Sequence, residues 1–158
     1  MSEHPKRILV AVDYEPPSRK ALQLALGLAR GFGASIGVLH VWLAPYAERA
    51  LHGQSTTPAT QPAAATEKPS LFDRLQQTCQ ATMVEYLGGF DTSGVDLDWT
   101  IVSGNANEEI AEYAAKHGFD LVVVGTHGRS AVGRWLLGSV AEHTVRHCTV
   151  PVLVVPTR

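Results

Sequence analysis

The stretch Asp120-Leu121-Val122-Val123-Val124-Gly125 holds a run of aliphatic side chains with no polar residue between them. A strand with one wet face alternates apolar and polar residues, whereas an uninterrupted aliphatic run suits a strand covered on both faces. Arg7-Ile8-Leu9-Val10-Ala11-Val12-Asp13 and Val152-Leu153-Val154-Val155 read the same way. Strands buried on both faces belong to parallel sheets, and parallel neighbours need crossover helices to join them. The rest of the chain must therefore supply helices between strands.

It does. Pro16 and Pro17 stop the first strand, and Ser18 is the expected N-cap of a helix from Arg19 to Arg30. Leu22, Ala25, Leu26 and Ala29 recur at helical spacing, and Gly31 with Gly33 closes the helix. A second strand is predicted from Ala34 to Leu43. From Pro45 to Pro69 the composition shifts to Ala, Thr, Gln, Pro and Ser without periodicity, so this reads as a flexible insertion. Leu71, Leu75, Cys79, Met83 and Leu87 step by four, predicting a helix ended by Gly88-Gly89. A strand over Val95–Val102 follows. Asn105 with Glu108 predicts a capping box for a helix to Lys116, ended by Gly118. Ser139 with Glu142 predicts another for a last helix to His147. The order β-α-β-α-β-α-β-α-β describes a single doubly wound, Rossmann-like α/β domain over residues 1–158, with residues 45–69 as its insertion.

Bulk composition narrows the function. The 158 residues are 45% apolar and 18% charged, with 13 basic against 15 acidic side chains and a net charge of −2. That balance does not suit an electrostatic nucleic-acid binder. The aliphatic runs are too short for a membrane span. The N-terminus lacks the hydrophobic segment of a signal peptide, and the two cysteines, Cys79 and Cys148, read as small core residues, so the cytoplasm is the expected location.

In an open parallel sheet, ligands settle beyond the carboxyl ends of the strands, where strand order reverses. Asp13, Val41 and Gly125 fall at such ends. Gly125 opens the segment Gly125-Thr126-His127-Gly128-Arg129-Ser130-Ala131-Val132-Gly133-Arg134-Trp135-Leu136-Leu137-Gly138-Ser139. Glycines at 125 and 128 let backbone amides approach an anion, and Gly138-Ser139 sits at a helix N-terminus that favours phosphate. Arg129 and Arg134 add positive charge. The segment has neither the Gly-Lys-Ser/Thr ending of a P-loop nor a G-x-G-x-x-G fingerprint. Its specificity lies in the whole pattern, G-x2-G-x9-G-S between a buried strand and a capped helix.

With these residues in place, the chain resembles the universal stress protein family, in its ATP-binding branch. The resemblance spans Val10-Ala11-Val12-Asp13, His40-Val41, Asp120 to Ser130, Leu136 to Glu142 and Val150 to Pro156. It implies a five-stranded sheet of order 3-2-1-4-5, ATP bound with Mg²⁺ or Mn²⁺, and a homodimer paired through Val152–Val155. By the same resemblance Asp13 and Val41 hold the adenosine, Val41 through its backbone. Gly125, Gly128, Arg129, Gly138, Ser139 and Val140 surround ribose and phosphates. Tyr14-Glu15-Pro16-Pro17 departs from the small polar residues more usual there, and a larger, stiffer turn is expected to alter the ribose pocket.

Each residue also has an ordinary structural role available. Ser139 and Glu142 suffice as a capping pair, and Asp13 suffices as a loop cap. His143 and His147 lack the H-E-x-x-H pattern and read as a solvated face. No side chain stands out to position a hydrolytic water, so a nucleotide-binding regulatory protein is the leading expectation. A slow ATP hydrolase and a dimeric interaction protein without nucleotide are the alternatives.

Overall fold

A computed structural model describes residues 4–43, 70–126 and 137–156. The sequence-predicted insertion, and Gly128, Arg129 and Arg134 of the glycine-rich segment, lie outside the described residues. The elements run β1 (Arg7–Ala11), α1 (Pro16–Phe32), β2 (Ser35–Trp42), α2 (Leu71–Gly88), β3 (Leu97–Ser103), α3 (Ala106–Lys116), β4 (Leu121–Thr126), α4 (Ser139–His147) and β5 (Val152–Pro156). All five strands are parallel, in the order β3-β2-β1-β4-β5.

The aliphatic runs explain the layering. Successive side chains of a strand point to opposite faces. Ile8 and Val10 of β1 accordingly join Leu22, Leu26 and Met83 under α1 and α2, while Leu9 joins Ile110, Ala114 and Ala141 under α3 and α4. In β4, Val123 belongs to the first core, Val122 and Val124 to the second. Ile8, Leu9, Val10, Val122 and Val123 are fully buried, which a run of alternating polarity would forbid.

Several local signals resolve differently from expectation. Helix α1 starts at Pro16, with Glu15 as N-cap and prolines at the first two helical positions. The two prolines do not merely stop the strand: their fixed φ and missing N–H suit a first helical turn. Ser18 lies inside the helix, its hydroxyl donating to the Glu15 carbonyl at 3.0 Å. Of the two glycines expected to close α1, Gly33 does so, at φ 67°, while Gly31 remains helical. Ser70 and Asp73 form a capping box that opens α2. Asn105 caps α3 by accepting from the Asn107 amide at 3.0 Å, without the reciprocal Glu108 bond of a box.

At the amino ends of the strands, Asp120 accepts from the Lys6 and Arg7 amides, both at 2.9 Å. The Arg7 guanidinium lies over the Phe119 ring, 4.7 Å from its centroid, and donates to the His117 carbonyl. This stitches β1 to the start of β4 and leaves the opposite end of the sheet open.

Candidate functional site

Strand order turns back between β1 and β4: β2 and β3 are laid down to one side of β1, and β4 and β5 to the other. A cavity of about 150 Å³ opens at the carboxyl ends of β1, β2 and β4. Ala11 to Asp13, Leu39, Val41 and Val124 to Thr126 line it from the strands. Ala106 and Ile110 of α3, and Leu137 to Ala141 around the start of α4, line it from the helices. The lining thus brings together Asp13, Val41, Gly125, Gly138, Ser139 and Val140 from the sequence-predicted set. Thr126, Leu39, Ala106, Ile110 and Leu137 were not expected there. The strand-end rule, extended from β4 to Thr126 and from β3 to the start of α3, points to Thr126, Ala106 and Ile110.

Among the described residues the lining carries one formal charge, the Asp13 carboxylate. Its Oδ1 accepts from the Glu15 amide at 3.0 Å, and the Asp13 amide donates to Ser18 Oγ at 3.3 Å. Among the described residues, positive character at the site comes from backbone. The first amides of any helix lack intrahelical partners. In α1 prolines occupy the first two positions; in α2 and α3 the Ser70 and Asn105 side chains take an amide. Helix α4 begins with Gly138 as N-cap, and no side chain among the described residues caps it, so its amides at Ser139 and Val140 face the cavity without such a partner there. This corrects the expected Ser139–Glu142 capping box: Ser139 is the first helical residue, and Glu142 instead pairs with Arg146 at 2.8 Å.

Two glycines act differently from one another. A Cβ on Gly125 would lie 2.4 to 2.7 Å from the backbone of Pro17 and Ser18, so this glycine lets α1 pack on β4. Gly138 has open space around it, with Thr126 Oγ1 at 3.8 Å, but its φ of 78° and ψ of 146° suit glycine alone. Thr126 Oγ1 donates to the Leu137 carbonyl at 2.5 Å, tying the end of β4 to the approach to α4.

A family model, described as the universal stress protein family, matches residues 4–156. The chain belongs to the universal stress protein family. Universal stress protein MJ0531 of Methanocaldococcus jannaschii is 27% identical over 151 residues, which cover 95% of this chain and 81% of the relative. The solved structure of MJ0577, from the same organism, matches with a TM-score of 0.71 at 24% identity, covering 97% of this chain and 96% of that one. A universal stress protein solved in complex with cAMP matches with a TM-score of 0.59 at 21% identity, covering 97% and 98%. An Arabidopsis thaliana family member solved with AMP bound has a TM-score of 0.62 at 18% identity, covering 98% and 93%.

In this universal stress protein Tyr14 turns away from the cavity that it was expected to reshape. Its ring packs against His40, tilted by 33° with centroids 4.3 Å apart, and meets Tyr86 edge-on at 5.2 Å, on the α2 side of the sheet. His40 Nδ1 donates to the Val12 carbonyl at 2.8 Å, and burial pushes the imidazole below its ordinary value. Burial likewise pushes the Cys79 and Cys148 thiols up, away from the nucleophilic thiolate. His143 and His147 stack on one another at 3.8 Å on α4, and no group of three or more metal-ligating side chains occurs among the described residues. No helix among them is long and apolar enough to cross a membrane.

Proposed function

We propose that this family member belongs to the ATP-binding branch and is a regulatory protein of the stress response that binds ATP in the cavity at the switch point. The observation that carries this reading is the start of α4 at the cavity: among the described residues it has neither a proline nor a side-chain cap, whereas α1 begins on two prolines and α2 and α3 each give one amide to a capping side chain. A helix start of this kind favours phosphate through its free N–H groups and its dipole. The apolar lining from Leu39, Val41, Ile110 and Val124 suits a base, and the Asp13 carboxylate suits ribose hydroxyls. The family members solved with AMP and with cAMP are consistent with an adenine nucleotide.

In this reading Gly138, Ser139 and Val140 hold the phosphates, with Gly128 and Arg129 from the intervening segment, and Gly125 frames the cavity. Mg²⁺ or Mn²⁺ would be held through the phosphates. Residues 1–158 act as one domain in the cytoplasm, with residues 45–69 inserted. Among the described residues β5 pairs with β4 alone, and its other edge suits pairing with a second copy through Val152–Val155. A homodimer of this kind would let bound nucleotide govern a shared surface.

Ser139→Pro tests the site. Proline is favoured at a first helical position and deletes one amide donor without removing a helical bond. The expected result is a cooperative fold and ATP affinity lowered about tenfold, the worth of one hydrogen bond to a charged group. Unchanged affinity in the folded variant would remove α4 from the phosphate site.

A further inference from the structure

Among the described residues, Tyr14 is the one non-glycine with a left-handed backbone, at φ 68°. Side chains with a Cβ are disfavoured there. Its hydroxyl is also buried with no hydrogen-bond partner among the described residues, a second cost at the same residue. Strain of this kind persists only where the surroundings over-determine it, and it gathers at functional sites.

The surroundings of Tyr14 hold the residue on either side of Asp13. His40 clamps Val12 through its carbonyl at 2.8 Å and clamps Tyr14 through a tilted ring contact at 4.3 Å. Tyr86 closes on Tyr14 edge-on, and its own hydroxyl lies 3.4 Å from Ser18 Oγ, the group that accepts from the Asp13 amide. Asp13 stands between these fixed points, at the cavity, while the Tyr14 ring lies on the α2 side. An unstrained turn would need none of this scaffold.

Resting on the nucleotide reading above, we propose that Tyr14 is a positioning residue. Its ring, locked against His40 and Tyr86, holds the left-handed turn that keeps the Asp13 carboxylate aimed at the hydroxyl groups of a nucleoside ligand. Tyr14 itself touches no ligand. The hydroxyl plays no part in this, so Tyr14→Phe keeps the function.

The test uses the full chain and three probes, ATP, adenosine and inorganic triphosphate, each titrated calorimetrically. Tyr14→Gly and Tyr14→Asn both tolerate the left-handed backbone but lack the ring. Both are expected to lose about tenfold in affinity for ATP and adenosine, one misplaced charged hydrogen bond, with triphosphate affinity unchanged. Tyr14→Phe is expected to bind all three as the wild type does. Undiminished binding of ATP and adenosine by the ringless variants would overturn the proposal, as would an equal loss for all three probes, which marks general disruption. Failure of the wild type to bind ATP would instead sink the nucleotide reading itself.

Discussion

The backbone of Pro17 occupies the space where a side chain on Gly125 would stand: a Cβ there would come within 2.4 Å of the Pro17 carbonyl carbon. The start of α1 lies directly against the carboxyl end of β4, and the absence of a side chain at Gly125 makes that approach possible. Gly125 thus frames the candidate site by letting two backbones meet.

Gly125→Ala is therefore expected to cost about 1–3 kcal/mol, the usual range for forcing extra atoms into close packing. The neighbouring atoms are main chain and cannot rotate away. Urea unfolding measures this directly, and an unchanged midpoint would show that α1 shifts without penalty.

Gly138→Ala is expected to destabilise for another reason. Around this residue there is room for a methyl group, but φ 78° with ψ 146° is closed to L side chains. The expected cost is about 1–3 kcal/mol, in the range of other strained backbone positions. A loss of nucleotide affinity in this variant would mix backbone strain with phosphate approach, and Ser139→Pro avoids that ambiguity.

His40 gives stability an acid limb. The folded protein lowers its pKa from the ordinary 6.5, chiefly by burial, so the unfolded chain takes up the proton first. Its contribution is full above about 6.5 and falls as the pH drops below that value, levelling off below the folded pKa. His40→Gln, whose amide can still donate to the Val12 carbonyl, is expected to flatten this part of the profile. Identical slopes for wild type and variant in urea titrations between about pH 7 and 5 would count against the assignment.

Asp120→Ala removes the acceptor shared by the Lys6 and Arg7 amides. A loss of about 1–2 kcal/mol is expected, because the carboxylate is exposed and water replaces part of what is lost. Faster amide exchange confined to the start of β1 would identify the mechanism; a slowdown anywhere in β1 would contradict it.

The sequence made the strands legible because burial on both faces leaves an unbroken aliphatic signature, as in Leu121–Val124. The last helix, Ser139–His147, matches its predicted end at His147. Its cap does not match, since Ser-x-x-Glu spacing fits both a capping box and a Glu142–Arg146 pair, and only the fold decides between them. Pro16-Pro17 was read as a stop although it is equally a helix start. Gly125 was read as room for a phosphate; that it also admits α1 depends on a contact between residues more than a hundred positions apart in the chain. The Tyr14–Pro17 turn was expected to alter the ribose pocket, yet the Tyr14 ring, on a backbone of positive φ that is invisible in the sequence, packs on the α2 side of the sheet. The grouping of Asp13, Val41 and Ser139 was legible because topology alone dictates where strand ends converge.

The bond from Thr126 Oγ1 to the Leu137 carbonyl has a consequence for how such a protein can be altered. It brings the two ends of segment 127–136 together independently of what lies between them. The bond fixes where the connection leaves β4 and enters α4, and doubling the length of a connection closed in this way adds only about 0.6 kcal/mol of closure entropy. On the proposed nucleotide reading, residues between Thr126 and Leu137 can be exchanged to suit another ligand while the amides of α4 stay where they are.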